Sequence, residues 1–300
     1  MSSKILWELT EFYNFSLNVF LILVGMAFAY FNYGVFYNWR VLLFTLTLLL
    51  IFLATNVDNN YKDYMNATDD HFKQKTNIIG REHLNLKLVK NIGIILWGMA
   101  FVAGIALVYY TNLYVLFFGL IGCYVAFFYS GGKHPINSMI IAESVPSFLS
   151  GFMIPMLSAY TVIFEQCHVT SKFFALGFIT FLPMFLSVFN SLLINNISDL
   201  KEDIANGRKT LVFYLGQKNG LRLLNCLMSF IFVWVILLAI LRIVPYTALI
   251  MLIFIPKVID ALKPFNKKPS KKITYPAVLK VIGLIMLSYS VLYTVGLFFK

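Results

Sequence analysis

Residues 195–211 read Asn-Asn-Ile-Ser-Asp-Leu-Lys-Glu-Asp-Ile-Ala-Asn-Gly-Arg-Lys-Thr-Leu and follow an apolar run that is long enough to cross a bilayer. At helical spacing Asn196, Asp199 and Asp203 share one face, with Asn195 beside them. Carboxylates four residues apart repel each other, and negative charge near a helix C-terminus opposes the helix dipole. The stretch therefore predicts a bound cation.

The ligand types indicate which cation this is. Oxygen ligands that leave room for waters and phosphates suit Mg²⁺. Arg208 and Lys209 follow the acidic residues and are placed to meet phosphate. The alternative is a solvated loop that leaves a membrane helix, where mixed charges are ordinary.

A second copy of the pattern lies earlier in the chain, at the end of another apolar run. Asn59, Asn60 and Asp63 repeat the order Asn-Asn-x-x-Asp. Asn59 and Asn195 are 136 positions apart (195 minus 59), and Asp63 and Asp199 have the same separation. Further acidic and basic residues follow the first copy: Asp69, Asp70, Lys73, Lys75 and Arg81. Two matched acidic clusters at helix ends favour a paired metal site.

The composition indicates an integral membrane protein. The chain is 60% hydrophobic and 12% charged, whereas globular proteins average roughly 45–50% and 25%. The formal charge of +11 is typical of cytoplasmic loops and does not require a nucleic-acid partner. The first residues lack the pattern of a cleaved signal peptide.

Apolar segments of about 20 residues are each long enough to cross about 30 Å of hydrocarbon. We predict nine such spans, at residues 12–31, 39–58, 86–110, 112–130, 138–163, 172–194, 219–241, 245–262 and 275–299. Residues 59–85 and 195–218 are then the two long polar loops. The Lys- and Pro-rich connector at 263–274 is expected to face lipid headgroups.

The distribution of Lys and Arg predicts the orientation. Most of these residues lie in the even-numbered connections, and the odd-numbered connections contain only Arg40, Lys172 and Arg242. The positive-inside rule then predicts a cytoplasmic N-terminus, an external C-terminus and both acidic clusters on the cytoplasmic side. We expect one domain over residues 1–300, in which helices 1–4 and 5–8 form a parallel repeat and helix 9 is added.

A third feature closes the fourth span on the same side. Tyr129-Ser130-Gly131-Gly132-Lys133 permits a tight turn and places an ammonium group at a helix exit. The alternative is a short loop with one lysine that follows the positive-inside rule. Glu143 lies near the start of the fifth span, where a carboxylate usually has a partner or a function.

These motifs resemble those of the UbiA-type superfamily of intramembrane aromatic prenyltransferases, which carry two Asp-rich motifs and a Tyr-x-x-x-Lys element. Residues 129–133 fit that element, and residues 195–211 look closest to the branch that prenylates 1,4-dihydroxy-2-naphthoate in menaquinone synthesis. The resemblance covers about residues 10–300. The family usually has Asn-Asp-x-x-Asp in its first motif, so Asn60 replaces a carboxylate, and Asp58 is a candidate to compensate.

The resemblance implies an all-α fold of nine transmembrane helices around a central cavity, capped on the cytoplasmic side by loops 2–3 and 6–7. It implies Mg²⁺-dependent transfer of a polyprenyl group from its diphosphate to an aromatic acceptor. The implied metal ligands are Asn59, Asp63, Asp69, Asn195, Asp199 and Asp203. The implied diphosphate-binding residues are Asn59, Arg81, Tyr129, Lys133, Asn195, Arg208 and Lys209. The implied catalytic residues are Asp63, Lys133 and Asp199.

Other acceptors and one other class of protein stay open. With dihydroxynaphthoate as acceptor, a ring carboxylate is lost and the product is demethylmenaquinone. The alternative acceptors are 4-hydroxybenzoate, haem, or a sugar-like or chlorophyll-type molecule. Intramembrane acids and an internal repeat also occur in cation-coupled transporters, but transporter sites usually lie near the midplane. We expect the protein to lie in a bacterial cell membrane.

Overall fold

The computed structural model describes residues 2–67, 70–132, 135–165 and 170–299, and the regular structure within these ranges is helical throughout. The α-helices are α1 (Ser3–Leu9), α2 (Ser16–Tyr33), α3 (Trp39–Asn66), α4 (Ile78–Arg81), α5 (Leu86–Tyr109), α6 (Leu113–Phe128), α7 (Ser144–Phe148), α8 (Ile154–Ile163), α9 (Ser171–Ala205), α10 (Leu211–Ile240), α11 (Ile255–Lys267) and α12 (Tyr275–Gly296). The predicted all-α class is confirmed.

The starts of these helices follow from side chains that satisfy free backbone N–H groups. Asn38, Asn77, Asn85 and Asn112 each accept a hydrogen bond from the first turn of α3, α4, α5 and α6. Proline occupies the first or second position of α8, α11 and α12, where its missing N–H needs no partner.

Seven helical segments among the described residues are long and apolar enough to cross a membrane: Phe12–Tyr33, Trp39–Asn66, Leu86–Tyr109, Ser144–Ile163, Ser171–Ala205, Leu211–Ile240 and Tyr275–Phe299. Each overlaps one predicted span. The fourth predicted span corresponds to the shorter α6, and the eighth to a 3-10 segment, Tyr246–Phe254, followed by α11. A polytopic architecture is therefore confirmed, and the count of nine crossings stays a prediction.

Two helices continue well beyond the predicted end of their apolar span. Helix α3 has 28 residues and α9 has 35, which correspond to about 42 Å and 52 Å at 1.5 Å per residue. The hydrocarbon core is only about 30 Å thick. Both Asn-Asn-x-x-Asp motifs thus lie on the last turns of continuous helices, and the prediction that 59–85 and 195–218 are loops throughout is wrong.

Backbone contacts divide the chain into two units, which we describe separately. Unit 1 contains residues 1–16 and 38–133, and unit 2 contains residues 17–37 and 134–300. The division after residue 133 falls between the fourth and fifth predicted spans, but most of the first span belongs to unit 2. The single domain, the parallel repeat, the central cavity and the cytoplasmic cap stay predictions.

Each unit has its own buried contacts. In unit 1, Ala100 and Ala103 of α5 pack against Leu50 of α3. In unit 2, the fully buried Tyr289 of α12 donates a hydrogen bond to the Thr180 carbonyl of α9 at 2.7 Å. This bond satisfies a hydroxyl group that is costly to bury alone, and it fixes α12 against the helix that carries the second motif.

We expect Gly25→Ala to destabilise unit 2, because α2 and α8 approach closely at this glycine. An added Cβ would overlap the Pro155 carbonyl oxygen, and Ser158 Oγ already donates to the Ile22 carbonyl at 2.9 Å. Overpacking of this kind costs about 1–3 kcal/mol, so the thermal unfolding midpoint in detergent should fall. Gly98→Ala is the control, since an added Cβ there meets nothing within 4 Å. Equal midpoints for the two variants would contradict the close approach.

Candidate functional site

The second motif lies on the last turns of α9 in unit 2, and Lys271 bridges two of its oxygens. Lys271 Nζ donates to Asn195 Oδ1 and, at 2.6 Å, to Asp199 Oδ2. Because these residues are four apart on a helix, their side chains converge on one positive charge. Amide and carboxylate oxygens are also the ligands that Mg²⁺ accepts, so the donor set fits a divalent cation.

Asn196 and Asp203 of the same motif contact other partners, so the predicted single face is split in two. Asn196 Nδ2 donates to Glu143 Oε1 at 2.8 Å. Asp203 Oδ1 accepts from Arg208 Nη1 at 2.9 Å, and Arg208 Nη2 donates to the Asn137 carbonyl at 3.1 Å. The segment before α7 therefore packs against the end of α9 through polar contacts.

A tight turn brings Arg208 back to α9. Gly207 has a φ of 71°, a left-handed conformation that favours glycine just after a helix. The Arg208 N–H donates to the Asp203 carbonyl at 2.8 Å, and the Lys209 N–H donates to the Ser138 carbonyl at 2.9 Å. The backbone of the turn thus fixes the guanidinium group beside Asp203, while the Lys209 side chain is exposed.

Two carboxylates at this end of unit 2 are buried. Glu143 Oε2 and Asp203 Oδ2 have no hydrogen-bond partner within the described ranges. Burial raises the pKa of Glu143, which precedes the Ser144–Ile163 span, because its charged form loses hydration. The hydrogen bond from Asn196 opposes the shift, and the charge of Asp203 adds to it. An unsatisfied buried acceptor is costly, which fits a site built to receive a positive group.

In unit 1 the first motif contacts the segment that follows α6. Ser130 Oγ, within the Tyr-x-x-x-Lys element, donates to Asn59 Oδ1 at 2.5 Å. Lys62 Nζ pairs with Asp58 Oδ2 at 2.6 Å and donates to the Phe127 carbonyl at 3.3 Å. Two motifs that are far apart in sequence are therefore joined in unit 1.

The contacts of Asn60 favour an amide at the position where the first motif departs from the family pattern. Its Nδ2 donates to the Leu9 carbonyl at 3.2 Å, and its backbone carbonyl accepts from Asn77 Nδ2 at 3.0 Å. An aspartate here would set negative oxygens against the Leu9 carbonyl, so the amide suits this position. Asp58 is held by Lys62, and its proposed compensating role would require it to leave that ion pair.

The remaining predicted residues of unit 1 lie in different surroundings. Asp63 is exposed on α3, and Tyr129 is half-buried. Arg81 pairs with Glu8 at 2.5 Å and with Glu82 at 3.1 Å, and these hydrogen bonds raise the pKa of its guanidinium group. These pairs use Nε and Nη2, so a contact between Arg81 and diphosphate would use the other guanidinium N–H groups or replace one of the pairs.

Two predicted residues, Asp69 and Lys133, lie outside the described residues. Within the part of the chain that the structure describes, no three His, Cys, Asp or Glu side chains form a group that could hold a metal ion. The metal set drawn from both motifs therefore stays a prediction, as do the diphosphate-binding and catalytic assignments.

Lys271 is a site residue that the sequence analysis missed. The connector 263–274 was expected to face lipid headgroups, but its residue Lys271 reaches α9 and also lies over the Tyr275 ring, 4.7 Å from the centroid. Lys268 and Lys272 stand in the same connector, and no local pattern distinguishes Lys271 from them. Only the tertiary contact does so.

The described residues thus form long apolar helices, two of which carry acidic side chains on their last turns with lysine or arginine side chains nearby. The chain matches the UbiA prenyltransferase family over residues 18–273 and belongs to that family. It is therefore an integral membrane prenyltransferase, which confirms the predicted superfamily and favours the enzyme over the transporter.

Individual relatives agree with this assignment. The 1,4-dihydroxy-2-naphthoate octaprenyltransferase of Bacillus subtilis (strain 168) is 27% identical over 278 residues, covering 90% of this chain and 85% of that protein. A structure of digeranylgeranylglyceryl phosphate synthase has a TM-score of 0.68 at 20% identity and covers 99% of both chains. A UbiA homologue from Archaeoglobus fulgidus bound to GPP and Mg²⁺ has a TM-score of 0.59 at 11% identity, covering 98% of this chain and 99% of that one. These two structures share the fold.

We expect Glu143→Ala to destabilise the protein more than Glu143→Gln. Alanine leaves the buried Asn196 Nδ2 without its 2.8 Å acceptor, and an unsatisfied buried donor costs about 1–3 kcal/mol. Glutamine keeps an acceptor oxygen and resembles the protonated carboxyl group that burial favours. Chemical or thermal unfolding in detergent measures the difference. Equal losses in the two variants would contradict the role of this hydrogen bond.

Proposed function

We propose that this prenyltransferase transfers a polyprenyl group from polyprenyl diphosphate to 1,4-dihydroxy-2-naphthoate, with loss of the ring carboxylate, to give demethylmenaquinol, the reduced form that a separate two-electron oxidation converts to demethylmenaquinone. The observation that supports a diphosphate-handling site most strongly is the convergence of Asn195 and Asp199 on one positive charge at the end of α9. The name and extent of the Bacillus subtilis relative support the choice of acceptor.

Mg²⁺ is the proposed cofactor. When bound, it stabilises the negative charge that develops on the leaving diphosphate. The Asn195–Asp199 oxygens support a cation site at the second motif. Asp203 Oδ2, which has no hydrogen-bond partner among the described residues, offers a further acceptor nearby on α9. The proposed ligands are Asn59, Asp63, Asp69, Asn195, Asp199 and Asp203.

Among the proposed diphosphate-binding residues, Arg208 has the best-defined contacts. Asp203 and the Asn137 carbonyl hold its guanidinium group, so the remaining N–H donors are oriented before substrate binds. Lys209 follows on the same turn with an exposed side chain and adds a second positive charge. The other proposed diphosphate-binding residues are Asn59, Arg81, Tyr129, Lys133 and Asn195.

The proposed chemistry divides between the two ends of the substrate. The allylic C–O bond breaks, and the electron pair leaves with the diphosphate, which Lys133, Arg208 and Lys209 stabilise. An electron-rich ring carbon attacks the allylic carbon, and the ring loses CO₂. Asp63 and Asp199 would hold Mg²⁺ in this scheme, and the cation would supply the positive charge that positions the diphosphate.

The proposed location follows from the substrate. A polyprenyl chain is as apolar as lipid, whereas its diphosphate needs a wet interface. We place the protein in a bacterial cell membrane, with the N-terminus and both Asn-Asn-x-x-Asp motifs on the cytoplasmic side and the C-terminus outside. One domain with nine crossings and a central cavity is the proposed architecture.

The acceptor is tested by offering the purified protein one polyprenyl diphosphate with a panel of aromatic acceptors. We expect mass spectrometry to detect prenylated and decarboxylated naphthoquinol, and little product from 4-hydroxybenzoate or haem. Excess EDTA should abolish product, and added Mg²⁺ should restore it. If product forms only with 4-hydroxybenzoate, the proposed acceptor is wrong but the reaction class stands. Full turnover in excess EDTA would refute the proposed Mg²⁺ dependence.

The paired role of the motifs is tested by Asp63→Ala, Asp199→Ala and the double variant. Each single change should lower turnover by about 100-fold, because each removes one proposed oxygen ligand of the cation that stabilises the leaving diphosphate. The double variant should be little worse than the poorer single one, as for residues that act as a unit. Asp260→Ala is the control, since its exposed carboxylate lies outside both motifs. Product formation in membranes is the measurement, and two active single variants would end the paired-site proposal.

A further inference from the structure

We propose that Lys271 is a tethered counter-ion of the second motif, which donates to Asn195, neutralises Asp199 and is displaced when a divalent cation binds there. The inference rests on the proposed function, because it concerns the same cation site. It assigns a role to a connector residue that lies outside the two Asp-rich motifs and the Tyr-x-x-x-Lys element.

The geometry defines the competition. Lys271 Nζ donates to Asn195 Oδ1 and, at 2.6 Å, to Asp199 Oδ2, so one ammonium group engages the two oxygens that a divalent cation would use. Two positive charges that share the same oxygens repel each other strongly at contact distance. A divalent cation therefore binds these oxygens only as Lys271 withdraws.

The surroundings of Lys271 keep the free-energy cost of moving its ammonium group away from Asp199 small. The side chain is 42% exposed, whereas Asp199 is 19% exposed, so the ammonium group is partly hydrated already. Lys271 belongs to the short segment between α11 and α12, and its flexible four-carbon stem has room to turn toward solvent. The Tyr275 ring, 4.7 Å from Nζ, offers the cation a second contact.

A different role for Lys271 would be direct binding of diphosphate. In that case the ammonium group would cooperate with the metal, and removing it would weaken substrate binding without affecting the free metal. The contacts with Asn195 and Asp199 favour competition instead, because both engaged atoms are potential metal ligands. The two roles predict opposite results for metal binding in the absence of substrate.

The test measures Mn²⁺ binding to the purified protein by electron paramagnetic resonance, without diphosphate and at 0.15 M salt. Lys271→Met should tighten Mn²⁺ binding by about two- to five-fold, the range expected for a partly exposed ion pair. Lys271→Arg, which keeps the charge, should stay near the wild type. Lys272→Met is the matched control, because it removes the same charge from the exposed neighbouring residue.

Product formation by the wild type separates failure of this inference from failure of the proposed function. If the wild type forms prenylated product but Lys271→Met and Lys272→Met bind Mn²⁺ alike, the counter-ion role is refuted and the enzyme assignment stands. Weaker Mn²⁺ binding in Lys271→Met, or no binding in either the wild type or Lys271→Met, refutes it equally. A wild type that binds Mn²⁺ with the expected shift but forms no prenylated product would overturn only the proposed reaction.

Discussion

The C-terminal end of α9 concentrates negative charge where the helix dipole already disfavours it. Its two motif carboxylates are each held by a cation from elsewhere in unit 2, Asp199 by Lys271 and Asp203 by Arg208. The turn at Gly207 places Arg208 beside Asp203, and the connector before α12 places Lys271 beside Asp199. The local architecture of unit 2 is therefore arranged around compensation of charge at one helix end.

Helix length decides where this charge lies relative to lipid. Because α3 and α9 are longer than the hydrocarbon core is thick, their apolar parts span the membrane while their polar ends extend beyond it. A substrate with an apolar chain and a charged head needs such a boundary. Continuous helices also hold the motif side chains more rigidly than loops would, because the backbone N–H groups of these residues donate within the helix.

The sequence predicted the all-α class and the positions of the seven long apolar helices, because apolar length and helical spacing are local properties. The extents of α3 and α9 were missed, since polar residues such as those at 195–205 are compatible with a helix end as well as with a loop. The site was predicted only as far as its motifs reach. Contacts such as Asn59 with Ser130, and Lys271 with Asp199, join residues more than 70 positions apart, and one sequence contains no signal for them.

The two faces of the α9 end have different physical properties, and this difference suits an enzyme that binds and releases a charged substrate. On one face Asn196 and the fully buried Glu143 form a hydrogen bond out of solvent, which is strong in a low dielectric and fixes the helix. On the other face Asn195 and Asp199 meet a partly exposed lysine, whose contact is weak and exchangeable. Because adjacent residues of a helix move together, the buried contact between Asn196 and Glu143 also fixes the position of Asn195 and Asp199. The oxygens stay in place while the cation that they bind can change.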